Sequence, residues 1–96
     1  MSTLHTLAKS PDSNLLSNCQ QLLASKDALL LIEDGVYYAS RDDLLVTLSP
    51  KQKLYALRED INARGLQSHV AANVEVIGTR RFVELCCEHK KVVNWF

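Results

Sequence analysis

Three cysteines carry the most distinctive chemistry in this sequence, and they stand at positions 19, 86 and 87. A cysteine thiol acts as a nucleophile when its pKa is lowered and its sulfur is accessible. Cys19 is our candidate for such a reactive thiol. The alternative is that Cys19 packs as a small apolar side chain, since it lies in a stripe of leucines between Leu15 and Leu23. Its position about two turns into the predicted helix, beyond the N-terminal dipole, favours packing.

Cys86 and Cys87 are neighbours on a predicted helix, where adjacent side chains point about 100° apart and do not face a common ligand. Cys86 and His89 share one face. Two ligands do not make a zinc site, which needs four, or three and a water. No metal-ligand spacing connects them to His5 or His69. We therefore expect no metal, with Cys86 packed and Cys87 half exposed.

Glu33 and Asp34 follow an apolar run, and two carboxylates at such a place are candidates for acid/base chemistry. Adjacent residues leaving a strand diverge, which favours a turn in which Asp34 caps a helix and Gly35 relaxes the backbone. Arg64 beside Gly65 is either an anion site or a solvated arginine next to a helix-ending glycine, and the second is the simpler interpretation. Neither a glycine-rich phosphate loop nor a nucleophile elbow is present, so we expect no cofactor.

The elements that position these side chains begin with residues 28–32, where five apolar residues follow one another. This is typical of a central parallel strand buried on both faces. Further strands are predicted at residues 3–7, 53–57 and 73–77, and helices from Ser10-Pro11-Asp12, within residues 34–48, at residues 58–64 and from a Thr79 cap. The alternation predicts a three-layer α/β/α sandwich around a small, mostly parallel sheet, as a single domain over residues 1–96.

The first and last predicted helices and the end of the chain carry more apolar side chains than one small sheet can bury. The first helix is expected to bury a face that includes Leu22, and the last a face that includes Val83. A short chain has few helices to cover both sheet faces, so apolar surface should remain for a partner. Trp95 and Phe96 either clamp the chain's own sheet or anchor in a neighbour, and the enrichment of tryptophan at interfaces favours the interface.

Charge and hydropathy restrict the classes of partner. Lysine plus arginine and aspartate plus glutamate both total 11, so the net charge is zero. Direct nucleic-acid binding needs a basic face, and only Arg80-Arg81 and Lys90-Lys91 offer local patches, so we expect no direct nucleic-acid contact. No apolar run reaches membrane-spanning length, and the first residues lack the pattern of a signal peptide. We expect a cytoplasmic protein with reduced thiols and no membrane contact.

An ordered set of short segments over nearly the whole chain resembles the DsrH/TusB-like family of sulfur-relay subunits. The segments are Leu4-His5-Thr6-Leu7, Lys9-Ser10-Pro11, residues 30–36, Tyr55-Ala56-Leu57, Glu59-Asp60, residues 63–66, Phe82-Val83 and Trp95. The resemblance implies a DsrE/F/H-like fold. It also implies one of three homologous subunits of a heterohexamer, a dimer of heterotrimers that hands sulfur to a downstream carrier protein.

The resemblance further implies that persulfide sulfur passes toward 2-thiolation of the wobble uridine of certain tRNAs. Its main carrier cysteine lies in a sister subunit, so this chain is expected to be accessory and without catalytic activity alone. A second branch of the family serves dissimilatory sulfur oxidation, and its members have a cysteine near Cys19. This parallel makes Cys19 the candidate sulfur acceptor of the chain, a thiol that would take a sulfane sulfur by exchange. A third alternative, independent of the resemblance, is a small stand-alone α/β ligand-binding protein.

Overall fold

The central element of the sheet is a strand with no polar side chain, β2 (Ala28–Leu31), in which every residue is buried. The computed structural model describes residues 2–12, 15–45, 48 and 52–95. The described strands form one five-stranded sheet in the order β4-β3-β2-β1-β5, and all four pairings are parallel. The other strands are β1 (Thr3–Leu7), β3 (Lys53–Leu57), β4 (Val74–Ile77) and β5 (Lys91–Trp95). The predicted central parallel strand is confirmed.

Helices cover both faces of this sheet. One face meets α1 (Leu15–Gln20), a 3₁₀ helix (Glu33–Ser40), α2 (Asp42–Leu45) and α3 (Arg58–Ala63), and the other meets α4 (Thr79–Glu88). The alternation of side chains along β2 shows the division, because Leu29 and Leu31 pack into the first core cluster and Leu30 packs with Leu85 of α4 in the second. The predicted three-layer α/β/α sandwich is confirmed.

The chain end differs from the sequence prediction, because β5 was not predicted as a strand. It pairs with β1 in parallel, with Thr3 opposite Lys91 and Leu7 opposite Trp95. Its side chains are half exposed or exposed, as expected for an edge strand, and so they lack the continuous apolar run of a central parallel strand. Phe96 lies outside the described residues.

Several helix boundaries also differ. Pro11 and Asp12 lie in a turn, so the first helix does not begin there. The described part of α1 ends at Gln20, so the helix does not include Leu22, which was predicted on its buried face. This leucine is 64% exposed. On α4, Val83 faces solvent rather than the core. The predicted end of a helix at Ser49-Pro50 falls outside the described residues.

The predicted caps were wrong in two places. The N-cap of α4 is Gly78, with no side-chain cap bond, and the Thr79 hydroxyl instead donates to Glu59 Oε2 at 3.0 Å. The 3₁₀ helix begins at Glu33 with Ile32 as its uncapped N-cap, so Asp34 does not cap it. The helix stop at Gly65 is confirmed, since this glycine adopts φ +65°.

Gly35 has a different role from the predicted relaxation of a turn. A Cβ atom at this position would lie 1.9 Å from the carbonyl oxygen of Leu7. The glycine therefore allows the start of the 3₁₀ helix to pack against the end of β1. The left-handed conformation occurs two residues earlier, at Glu33 with φ 49°. Close approach, rather than backbone freedom, explains a glycine at position 35.

Candidate functional site

The carboxyl ends of the parallel strands are where open α/β sheets build their sites, and here a hydrogen-bonded network occupies the ends of β2 and β3. The backbone N–H of Glu33 donates to Asp60 Oδ2 at 2.7 Å. This bond holds Glu33 in the left-handed conformation, which costs a non-glycine residue on the order of 1–2 kcal/mol. Strained residues cluster at binding sites and switch regions, so this edge is a candidate site.

Arg64 is the centre of this network. Its Nη2 and Nε donate to Asp34 Oδ1 at 2.9 and 3.2 Å, and its Nη1 donates to the carbonyl oxygen of Asp60 at 3.3 Å. The guanidinium carbon also lies 6.0 Å from the centre of the Tyr37 ring, a cation–π geometry. The guanidinium of Arg64 is therefore held by contacts within the protein, and the predicted solvated arginine is wrong.

These contacts give the two acids different roles. Asp34 pairs its carboxylate with Arg64, whereas Glu33 contributes its backbone N–H to Asp60. For Asp34 the contact supports a structural role better than an acid/base role, because a general base must be free to reach its substrate's proton.

A cavity of about 340 Å³ opens beside this network, and Tyr37 forms part of both. Its lining comes from the segment after β1 and the end of the 3₁₀ helix, and consists of Ser10, Pro11, Asp12, Tyr37, Ser40 and Arg41. Arg41 is committed to Asp43, with contacts of 3.0 and 3.1 Å. A cavity lined by polar side chains and an exposed aromatic ring suits the binding of a small molecule. Sequence reasoning missed Ser10, Ser40 and Arg41 as lining residues, because no motif brings these segments together.

Cys19 lies away from this cavity, inside the core. It is fully buried, and burial first, then the negative charge of Asp27, raise the pKa of its thiol to about 12. This is the opposite of the lowered pKa that a sulfur acceptor needs. The environment favours the packing interpretation, and sulfur acceptance by Cys19 stays a prediction.

The two cysteines of α4 differ in how far their side chains are exposed to solvent. Cys86 is half buried, and burial, then the neighbouring Cys87, raises the pKa of its thiol. Cys87 is exposed. Within the described ranges, no group of three or more histidine, cysteine or acidic side chains is placed to hold a metal ion.

A buried chain of polar groups joins β5, β1 and the turn before β2. Trp95 Nε1 donates to His5 Nδ1 at 3.1 Å, and His5 Nε2 lies 3.1 Å from Asp27 Oδ2. Because Nδ1 accepts a hydrogen bond, the neutral ring carries its hydrogen on Nε2, and this N–H donates a hydrogen bond to Asp27. Asp27 also accepts the backbone N–H groups of Thr3 and Ala24, at 2.9 and 3.0 Å.

This chain of contacts has the order of a carboxylate–histidine relay, but it ends on an indole N–H, which donates and cannot act as a nucleophile. Its role is therefore to hold β5 against β1. Sequence reasoning did not find it, since its members are 22 and 90 residues apart.

Trp95, the predicted interface residue within the described part of the chain, is less exposed than several other apolar side chains. Trp95 is half buried and packs against the first core cluster, so part of its ring is committed to its own chain. Of two adjacent tyrosines, Tyr38 is buried and Tyr37 is exposed. The exposed large apolar side chains among the described residues are Leu22, Tyr37, Val83 and Val92. A role of Trp95 in association stays a prediction.

The family model of the DsrH like protein matches residues 9–92 of this chain. Curated relatives extend over nearly the whole length. Protein TusB of Serratia proteamaculans is 39% identical over 94 residues, and protein TusB of Buchnera aphidicola subsp. Baizongia pistaciae is 34% identical over 94 residues. Each alignment covers 96% of this chain and 99% of the relative.

Solved structures with the same fold show lower identity. The crystal structure of the ychN protein from E. coli superposes with a TM-score of 0.80 at 17% identity, covering 99% of this chain and 100% of that one. The solution structure of protein Tm0979 from Thermotoga maritima gives 0.71 at 22% identity, covering 90% and 92%. At these identities the likeness shows the fold, and it confirms the DsrE/F/H-like architecture.

Proposed function

Because this chain belongs to the DsrH-like protein family, we propose that it is an accessory subunit of a sulfur-relay complex that serves 2-thiolation of the tRNA wobble uridine. Relatives called protein TusB match it from end to end at 34–39% identity. Family membership supports the pathway, and the resemblance described above supplies the reaction.

The burial of Cys19 is the observation that carries the accessory role. A persulfide carrier needs an accessible thiolate, whereas Cys19 is fully buried with its pKa raised to about 12. Cys86 also has a raised pKa, and the exposed Cys87 lies on α4, away from the cavity at the carboxyl edge. The sulfur-carrying cysteine then comes from a homologous partner subunit.

Exposed apolar side chains support assembly with such partners. Val83 and Val92 leave apolar surface uncovered on a small three-layer domain. Exposed apolar surface that is not needed by the fold is the usual mark of an interface. We assign it to two homologous subunits in a cytoplasmic heterohexamer, which passes sulfur to a downstream carrier protein. None of the described helices is long and apolar enough to cross a membrane.

Co-expression with its two homologous subunits tests this proposal. Size-exclusion chromatography with light scattering should give one complex of the mass of a heterohexamer. Incubation with a persulfide donor, followed by mass spectrometry, should place sulfur on a sister subunit. A gene deletion should lower tRNA 2-thiouridine, and the Cys19→Ala variant should restore it. A stable monomer that co-purifies with its own ligand would contradict the proposal.

The sulfur-oxidation branch is the second candidate, and Cys19 favours it because members of that branch have a cysteine near this position. Genes for dissimilatory sulfite reductase beside this one, with unchanged tRNA thiolation in the deletion strain, would assign the chain to that branch. The cavity of about 340 Å³ favours a third function, stand-alone ligand binding, which native mass spectrometry of the purified chain would detect as a bound small molecule.

A further inference from the structure

The amino ends of the parallel strands form a basic edge, opposite the candidate site. Lys53 and Lys91 are the first residues of β3 and β5, Lys90 precedes β5, and Lys26 lies two residues before β2. All four lysines are exposed. Among the described residues, none of the four forms an ion pair, since the cations of the ion pairs there are His5 and three arginines. This leaves four uncompensated positive charges on one edge.

The basic edge has a defined length. From β3 through β2 and β1 to β5 there are three strand intervals, which at about 4.8 Å each give a row of roughly 14 Å. Two carboxylates near this edge do not neutralise it. Asp27 is 5% exposed and already accepts three hydrogen bonds, and Glu88 is paired with Arg81 at 2.6 Å.

A cavity of about 280 Å³ opens at the β5 end of the basic edge. It is lined by Ser2, Thr3, Leu22, Ala24, Asp27, Lys90 and Lys91. Leu22 is 64% exposed, the largest fraction among the large apolar side chains of the described residues. The cavity therefore combines an apolar wall with two cations, which is a different chemistry from a uniformly basic groove.

We propose that the basic edge docks an acidic segment of a partner protein, with one apolar side chain of that segment in the cavity against Leu22. Carboxylates of the segment pair with Lys90 and Lys91, and further acids reach Lys26 and Lys53. Charge complementarity selects an acidic partner, and Leu22 selects a protein segment over an RNA strand.

Arg80-Arg81, the other local basic patch of the sequence, does not belong to this surface. It lies at the start of α4, at the opposite end of the helix from Lys90, and Arg81 is paired with Glu84 and Glu88. The docking surface is independent of sulfur chemistry. Its test therefore succeeds or fails separately from the proposed sulfur-relay function.

Fluorescence anisotropy with short labelled probes tests the docking surface on the full chain. The first probe is a nonapeptide with one phenylalanine between two runs of four glutamates, and the second replaces the phenylalanine with serine. The phenylalanine peptide should bind on the order of tenfold more tightly, because it buries an apolar side chain. An oligouridylate of nine nucleotides is the third probe and should bind more weakly than the phenylalanine peptide.

Substitutions of exposed residues locate the binding site. Leu22→Ser should remove the preference for phenylalanine, and the double variant Lys90→Gln with Lys91→Gln should weaken binding several-fold at low salt. Val83→Ser and Lys9→Gln are matched controls on other surfaces and should leave binding unchanged. Equal binding of both peptides, tighter binding of the RNA, or no response to the variants overturns the proposal.

Discussion

Trp95 donates its indole N–H to Nδ1 of His5 at 3.1 Å, and the two rings stack with centroids 6.3 Å apart and an interplanar angle of 25°. His5 is 3% exposed, so its ring nitrogens depend on protein partners. The contact bridges the edge strand β5 and its neighbour β1, and it continues to Asp27. The chain end is thus attached to the core by a polar chain of contacts as well as by the strand pairing.

Replacing Trp95 by phenylalanine should lower the free energy of unfolding by about 1–3 kcal/mol. The variant keeps an aromatic ring but leaves Nδ1 of the buried His5 without a hydrogen-bond donor. A buried acceptor without a partner costs the free energy of its lost hydration, which gives the expected range. Urea unfolding followed by circular dichroism measures the change. Val92→Ala, on the same strand with an exposed side chain, is the control and should stay within about 1 kcal/mol of wild type. Equal effects of both substitutions would contradict a role for the hydrogen bond.

Trp95→Ala tests the interface prediction for the same side chain. Truncation of a half-buried indole should cost about 2–4 kcal/mol of stability, and if the exposed part of the ring contacts a partner, association weakens further than the folding loss explains. The comparison is between urea unfolding of the isolated chain and the dissociation constant of the complex. A complex that stays intact at concentrations where the variant is folded would contradict the interface role.

Ionisation of Asp27 should make the free energy of unfolding fall at acid pH. Burial acts to raise the pKa of this carboxyl group, but hydrogen bonds from Ala24, Thr3 and His5 prevail and hold it below its ordinary value of 3.8. A depressed folded-state pKa contributes stability that is fully present above the unfolded-state value and is lost as the pH falls through the folded-state value. The loss should therefore begin below about pH 3.8.

Urea unfolding at pH 6, 4 and 3 measures this dependence. Asp27→Asn should be less stable than wild type at pH 6, and the difference should shrink toward pH 3. Asp12→Asn, an exposed carboxylate, is the control and should run parallel to wild type over the whole range. A constant difference between Asp27→Asn and wild type would mean that ionisation of Asp27 does not stabilise the fold.

Gly35 and Gly65 should respond very differently to alanine. A Cβ at position 35 would lie 1.9 Å from the backbone oxygen of Leu7, so Gly35→Ala must displace β1 from the 3₁₀ helix and should cost about 3 kcal/mol or more. A Cβ at position 65 would meet no atom beyond its chain neighbours within 4 Å, and only the φ of +65° opposes a side chain, so Gly65→Ala should cost about 1–2 kcal/mol. Urea unfolding separates the two, and Gly65→Asn should recover part of the loss. Similar costs at both glycines would contradict the close approach.

The layered fold could be predicted because its signals are local. The apolar run of residues 28–32 and the alternation of strands with helices are visible in the sequence alone. β5 was missed because an edge strand buries only alternate side chains, here Val93 and Trp95, and so resembles a polar tail. Leu22 was assigned to a buried face because its spacing from Leu15 fits a helix, but the described helix ends at Gln20.

The candidate site was harder to predict because its contacts are distant in sequence. The acid pair was noticed, yet the pairing of Asp34 with Arg64 spans 30 residues and that of Glu33 with Asp60 spans 27. Gly35 was interpreted from its own flexibility, whereas the structure requires it because of the position of Leu7. A single sequence shows residue types, and it does not show which backbone atoms a fold brings within 3 Å.

The cysteines should differ by orders of magnitude in reactivity toward a thiol reagent or a persulfide donor. With its pKa raised to about 12, the Cys19 thiol is ionised at neutral pH to a fraction on the order of 10⁻⁵, and its sulfur is also inaccessible. Cys87 is exposed and should react first.

Peptide mass spectrometry after brief treatment of the native protein reports each site. We expect adducts on Cys87 and none on Cys19 until urea unfolds the chain, and Cys87→Ser should abolish native labelling without exposing Cys19. A sulfur adduct on Cys19 in the native protein, at a rate above that of global unfolding, would instead support direct sulfur acceptance. Such a result would require a local opening of the core around Cys19, because its sulfur is fully buried in the folded chain.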